Sequence, residues 1–169
     1  MSEVMETMRL FILLLFILSP SLAFAVNNAI NGSGLPIPRF VSLRTDKVNL
    51  RVGPSTDYPI EWVYQRRGVP LEVVAEYDTW RKVRDWEGSE GWVHQQVLSS
   101  RRTALIREEP KTLRRQPDEK SGVIAEIEPG AIARLLECRL DWCRLEAGDY
   151  RGWMKRADFW GVYNDEKLD

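Results

Sequence analysis

The sequence predicts an all-β protein made of two small barrels in tandem behind an N-terminal signal peptide. Three observations predict it: a repeat with a period of about 62 residues, short β-branched runs parted by tight-turn residues within each copy, and no sustained 3.6-residue apolar period after residue 25. The elements follow in chain order.

Residues 1–25 read as a targeting segment. Leu10 to Leu18 is an unbroken apolar run, too short to cross a bilayer, which takes roughly 20 apolar residues. Pro20 breaks it, and Ala23-Phe24-Ala25 supplies the small-x-small pattern cut by signal peptidase. The n-region fits less well, because Met1 to Arg9 carries Glu3 and Glu6 against Arg9 alone. A start at Met8 would open Met-Arg-Leu and restore a positive n-region. The alternative is an uncleaved N-terminal anchor. With no cysteine near the cut, a lipoprotein anchor is not expected. The mature chain is expected to begin near Val26, outside the cytoplasm (the periplasm in a Gram-negative cell), with no stable membrane span. Residues 26–41 are rich in Asn, Gly, Ser and Pro and predict a flexible leader.

Residues 1–25 hold one Arg and two Glu, so the rest carries 23 basic and 23 acidic side chains. Such a balance sets up no bulk field to concentrate polyanions, and nucleic acid is not an expected partner.

The repeat supplies the domain boundaries. Asn49-Leu50-Arg51-Val52-Gly53-Pro54 aligns with Thr112-Leu113-Arg114-Arg115-Gln116-Pro117. Turn glycines Gly68 and Gly130 follow, then apolar strands at Val69–Ala75 and Ala131–Leu136. Trp80-Arg-Lys-Val83 matches Trp142-Cys-Arg-Leu145, and each copy closes on Gly-Trp, at Gly91-Trp92 and Gly152-Trp153. Short strands joined by tight turns over so few residues favour a closed barrel, because closure removes exposed edges. The expected barrels span 42–98 and 103–160, with a linker at 99–102 and a tail at 161–169. So short a linker predicts that they touch.

Asn49-Leu-Arg-Val-Gly-Pro-Ser55, the pair Tyr58-Pro59, Trp80-x-x-Val83 and Gly91-Trp92-Val93 together resemble the bacterial SH3-like domain family. The second copy resembles it more loosely, lacking the Gly-Pro-Ser and Tyr-Pro elements. The resemblance implies two tandem SH3-like barrels, modules of a kind that is usually non-catalytic and joined to cell-envelope proteins, some of which bind peptidoglycan.

Few residues offer chemistry. The single histidine, His94, would have to serve any Ser-His or Cys-His arrangement, and it falls where the last strand of a barrel should end. No Gly-rich phosphate loop and no paired histidine ligands occur, so neither cofactor nor metal is expected, and no catalytic residue is assigned. Cys138 and Cys143 flank a four-residue hairpin loop, where facing positions suit a disulfide, and export favours its oxidation.

Seven tryptophans exceed what two small cores need. Val83 has core parity, so Trp80 falls on the opposite face of its strand, and Trp142 stands opposite Leu145 in the same way. Tyr58 and Trp80 are the candidate ligand-binding residues, with Trp86 and His94 as rims; the competing reading is that such aromatics cap the barrel ends. Capping is the preferred reading for Trp92 and Trp153. Arg51 and Arg114, placed alike in both copies, are expected to hold a loop by hydrogen bonding. The expected partner is a cell-wall or envelope component, or alternatively another exported protein meeting exposed aromatics.

Overall fold

The computed structural model describes residues 32–169; the expected signal peptide and residues 26–31 of the leader lie outside them. The first barrel comprises β1 (Arg39–Leu43), β2 (Val48–Arg51), β3 (Ile60–Tyr64), β4 (Pro70–Tyr77), β5 (Trp80–Arg84), β6 (Glu90–His94) and β7 (Leu98–Ser99). The second comprises β8 (Thr103–Ile106), β9 (Lys111–Arg114), β10 (Val123–Ile127), β11 (Ile132–Arg139), β12 (Trp142–Ala147), β13 (Tyr150–Lys155) and β14 (Phe159–Trp160). Each set forms one antiparallel sheet, ordered β3-β2-β6-β5-β4-β1-β7 and β10-β9-β13-β12-β11-β8-β14. A 3-10 turn precedes the last strand of each, at Gln95–Val97 and Arg156–Asp158. These are the two tandem SH3-like barrels that the repeat predicts.

Strand parity builds each core. Leu71, Val73, Val83 and Val93 converge inside the first barrel, and Leu113, Leu145 and Met154 inside the second. Bulges fall at matching places, between Val73 and Ala75 in one copy and Leu135 and Glu137 in the other. The glycine of each Gly-Trp pair has a steric cause. A Cβ on Gly91 would lie 2.5 Å from Leu50 Cγ, and one on Gly152 would lie 2.6 Å from the Arg114 carbonyl oxygen. Only a bare Cα lets β6 and β13 come this close to β2 and β9.

Arg51 and Arg114 hold their loops in the same way: Arg51 Nη1 donates to the Tyr58 carbonyl at 2.6 Å, and Arg114 Nη1 to the Ser121 carbonyl at 2.9 Å.

Three boundaries differ from the expected ones. The first strand starts at Arg39, inside the segment read as leader, and the residues before it are tied down. The Ser33 N–H and hydroxyl both donate to Glu76, at 2.5 and 2.8 Å. Composition hides this, because the bonds come from a carboxylate more than forty residues away. Ser99, assigned to the linker, pairs with Ser42 in β1. The segment 161–169 is a strap: Val162 and Leu168 pack on the second core, and the Cys138 N–H donates to the Leu168 carbonyl at 2.8 Å.

The barrels touch. Phe40 of β1 meets Trp160 and Tyr163 with ring centroids 5.1 and 4.7 Å apart. The Tyr163 hydroxyl donates to Glu72 at 2.9 Å, and Thr103 and Arg66 donate across to the carbonyls of Gly68 and Gly130. Burial, and then the Glu72 carboxylate, push the Tyr163 hydroxyl pKa well above its usual value.

Candidate functional site

The outer face of β2, β5 and β6 carries the candidate site of the first barrel. Val83 points inward and is fully buried, which sets the half-buried Trp80 on the opposite face, as parity requires. Trp80 pairs across the sheet with His94, their rings meeting edge to face at 5.5 Å. The next pair on this face is Lys82 with Trp92, and Trp92 pairs onward with Arg51. Trp80 and Trp92 are thus diagonal neighbours, about 7–8 Å apart by sheet geometry. Arg51 extends the face to Tyr58 by its bond to that residue's carbonyl. The Tyr58 ring lies over Gly53, where a Cβ would come within 2.6 Å of ring atoms, and the residue is still 47% exposed.

Beneath the aromatics sits a charged support. Arg81, facing inward beside Val83, is buried; its Nε lies 3.1 Å from Glu76, and it donates to the Gln95 side chain at 2.6 Å and to the carbonyls of Asp78 and Trp80. These bonds fix the hairpin that presents Trp80 and the 3-10 turn that follows His94. The His94 Nδ1 accepts the Gln96 N–H at 3.4 Å.

Trp86 stands apart from this face. It lies beyond the far end of β5 from Trp80, packs against the first core, and lines a cavity of about 440 Å3 with Leu105, Ile106 and Arg107 of the second barrel. The sequence distance of six residues concealed the separation, because an extended strand carries them most of its length apart. Trp86 is a junction residue and not a rim of the Trp80 face.

Two aromatics escaped the sequence reading. Capping is the preferred reading of Trp92 in the sequence, yet parity with buried Val93 puts it on the outer face, by the same count that places Trp80. Its counterpart Trp153 is buried, with the Arg139 guanidinium 6.0 Å from its ring. Trp62 is 61% exposed although it shares a face with buried Leu50 and Tyr64, because β3 runs out along the edge of the sheet. Alternation alone would have placed it inside.

Cys138 and Cys143 form the disulfide, with S–S 2.09 Å, closing the β11–β12 hairpin below Trp142. Among the described residues no cluster of three or more His, Cys, Asp or Glu could hold a metal ion, and no helix is long and apolar enough to cross a membrane.

The bacterial SH3 domain profile matches this chain twice, over residues 44–100 and 107–161. The chain belongs to the bacterial SH3 domain family. No curated protein matches it. Among solved structures it is similar to NlpC2 from Trichomonas vaginalis (10% identity, TM-score 0.36, covering 76% of this chain and 50% of that one). NlpC1 from the same organism gives 10% identity and a TM-score of 0.35, covering 78% and 49%; an NlpC/P60 family protein from Bacillus cereus gives 14% and 0.34, covering 77% and 58%. The chain therefore spans about half the length of these proteins. In this bacterial SH3 pair the second copy keeps the frame of the first, including the Arg–Trp and Trp-opening strand positions, and changes the side chains set upon it.

Proposed function

We propose that this protein is an exported, non-catalytic binding module of the cell envelope, and that its first barrel recognises a cell-wall component, peptidoglycan, through Tyr58, Trp80, Trp92 and His94. The observation that carries the reading is the aromatic face: two tryptophans and a histidine on adjacent outward positions, with a half-exposed tyrosine at the margin. Large aromatics lose little rotamer entropy on contact and supply much of the energy at recognition sites. Family membership supports the wall as the ligand, and the disulfide supports an oxidising compartment. The engagement of the imidazole with Trp80 and Gln96, and of both cysteine sulfurs with one another, supports recognition over catalysis.

A second reading has its own observation. Val52, Ile60 and Trp62 are about half exposed or more, and the last two lie on the edge strand β3, a surface that fits an exported protein partner. Co-sedimentation with purified sacculi separates the two. Wild-type protein should pellet, Trp80→Ala should stay in solution, and Trp62→Ala should pellet as wild type does. Loss of pelleting in Trp62→Ala alone would move the site to the edge strand. Release of soluble muropeptides from the sacculi would overturn the non-catalytic reading.

A further inference from the structure

The second barrel repeats the groove with different chemistry. Trp142 opens β12 and pairs with Lys155, as Trp80 pairs with His94. The Lys155 ammonium lies 5.9 Å from the centre of the Trp142 ring and is ion-paired with Glu119, a residue of the β9–β10 loop. A cavity of about 480 Å3 opens on one side of this pair, lined among others by Asp118, Glu119, Asp141, Trp142 and Asn164. A second, of about 410 Å3, opens beside Lys111, Arg114 and Asp158 and shares Glu119, Trp142 and Lys155 with the first.

The state of each charge decides what such a groove accepts. Its cations are engaged. Arg114 donates to the Ser121 carbonyl, Lys111 pairs with Glu109, and Arg156 donates to the carbonyls of Leu140, Tyr163 and Glu166. Its anions are not. Among the described residues the Asp141 carboxylate has no hydrogen-bond or ionic partner, and Asp118 accepts the Lys120 N–H within its own loop. A tryptophan face beside open carboxylates attracts a cation, the ring through its quadrupole and the carboxylates through charge-assisted hydrogen bonds. Lys155 displays the fit from within, since one aliphatic stem carries an ammonium to the ring and to Glu119 together. That side chain is 43% exposed and has room to swing away. The disulfide closes the hairpin that bears Asp141 and Trp142, so the site is held before a ligand arrives.

We propose that the groove around Trp142 is a binding site for a primary ammonium on an aliphatic stem, a lysine-type side chain of a peptide, which takes the place of Lys155 on the Trp142 ring and against Glu119 and draws on Asp141. The site is independent of the one assigned to the first barrel. Two probes test it on the full exported chain: N-acetyl-Ala-Lys-Ala-amide and its twin acetylated on the lysine Nε, with the Trp142 indole N–H followed by NMR. The lysine peptide should shift that signal and the acetylated twin should not. Lys155→Ala should bind about threefold tighter or better, because the ring is vacated, and Asp141→Asn and Glu119→Gln about threefold weaker or worse. Trp80→Ala should bind the lysine peptide as wild type does. An equal response to the acetylated twin would overturn the proposal. So would no gain in Lys155→Ala, no loss in either acid variant with the fold intact by circular dichroism, or a response at Trp80 in place of Trp142.

Discussion

Trp80 and Val83 lie three residues apart on one short strand and answer to opposite demands. Replacing Val83, fully buried, by Ala should cost about 1–3 kcal/mol in unfolding free energy, since the core cannot refill the space. Replacing Trp80 by Ala should move the unfolding midpoint less than Val83→Ala does, while weakening binding to sacculi by about 2 kcal/mol. Paired thermal melts and sedimentation assays check this, and a larger melting loss at Trp80 than at Val83 would place its main role in packing. Gly152→Ala is a second residue-scale expectation. Its new methyl would meet the Arg114 carbonyl, a backbone atom that cannot rotate away, so denaturant unfolding should show a loss of about 1–3 kcal/mol. Parity made Trp80 legible in the sequence because β5 runs from Trp80 to Arg84 without a bulge. Trp62 was not legible, since exposure on an edge strand is set by where the sheet stops and not by alternation.

The hairpins that present the two tryptophans are stapled at equivalent positions by different bonds. Glu76 pairs in register with Arg81, and Cys138 with Cys143. The first staple is ionic and the second covalent. Burial alone would raise the Glu76 carboxyl pKa; the Ser33 N–H and hydroxyl and the Arg39 guanidinium outweigh it and hold the group below its ordinary 4.5. A carboxyl depressed on folding contributes stability that is complete above the unfolded value and fades as pH falls through the folded one. Acid below pH 4.5 should therefore loosen the first hairpin and leave the second intact, and hydrogen exchange across β4–β5 and β11–β12 would show the asymmetry. The double substitution of Cys138 and Cys143 by Ser should act on the other hairpin alone, at a cost of about 2 kcal/mol for so short a closed loop. Cysteines announce their pairing by type and spacing. Glu76 and Arg81 could not be told from solvated charges, because the sequence does not show that Ser33 and Arg39 return to cover them.

Taken whole, the molecule is joined by more than a linker. The final residues cross the junction, where Tyr163 bonds Glu72 of the first barrel and Glu166 pairs with Arg102. Burial ahead of the opposing Arg102 ion pair shapes the Glu166 carboxyl, whose pKa is lowered on balance, so acid should also weaken this strap. Full-length protein should unfold in one calorimetric transition. A chain ending at Gly161 should show two, and Tyr163→Phe, which deprives Glu72 of one donor, should cost about 1–2 kcal/mol. A single transition in the shortened chain would place the coupling in the contacts that remain, Phe40 on Trp160 and the bonds of Thr103 and Arg66. Tandem architecture was readable from the repeat, and contact between the halves from the brevity of the linker. The strap was not, because Asn164 to Lys167 is polar and gives no sign that Tyr163 and Leu168 on either side are anchored.

Phe40 carries a consequence for how such a protein can be inherited. The family profile begins at residue 44, past β1, yet β1 pairs with both β4 and β7 and lodges Phe40 between Trp160 and Tyr163 of the other half. A recombination event cutting at the profile's edges would transplant a barrel without its first strand. It would also carry the buried Glu72 and Glu76 away from Tyr163 and from Ser33 and Arg39, leaving both short of partners. The first barrel thus depends on residues outside the range the family profile covers. The outer faces of the two barrels could still diverge side chain by side chain, as Lys155 standing where the first copy has His94 shows they have.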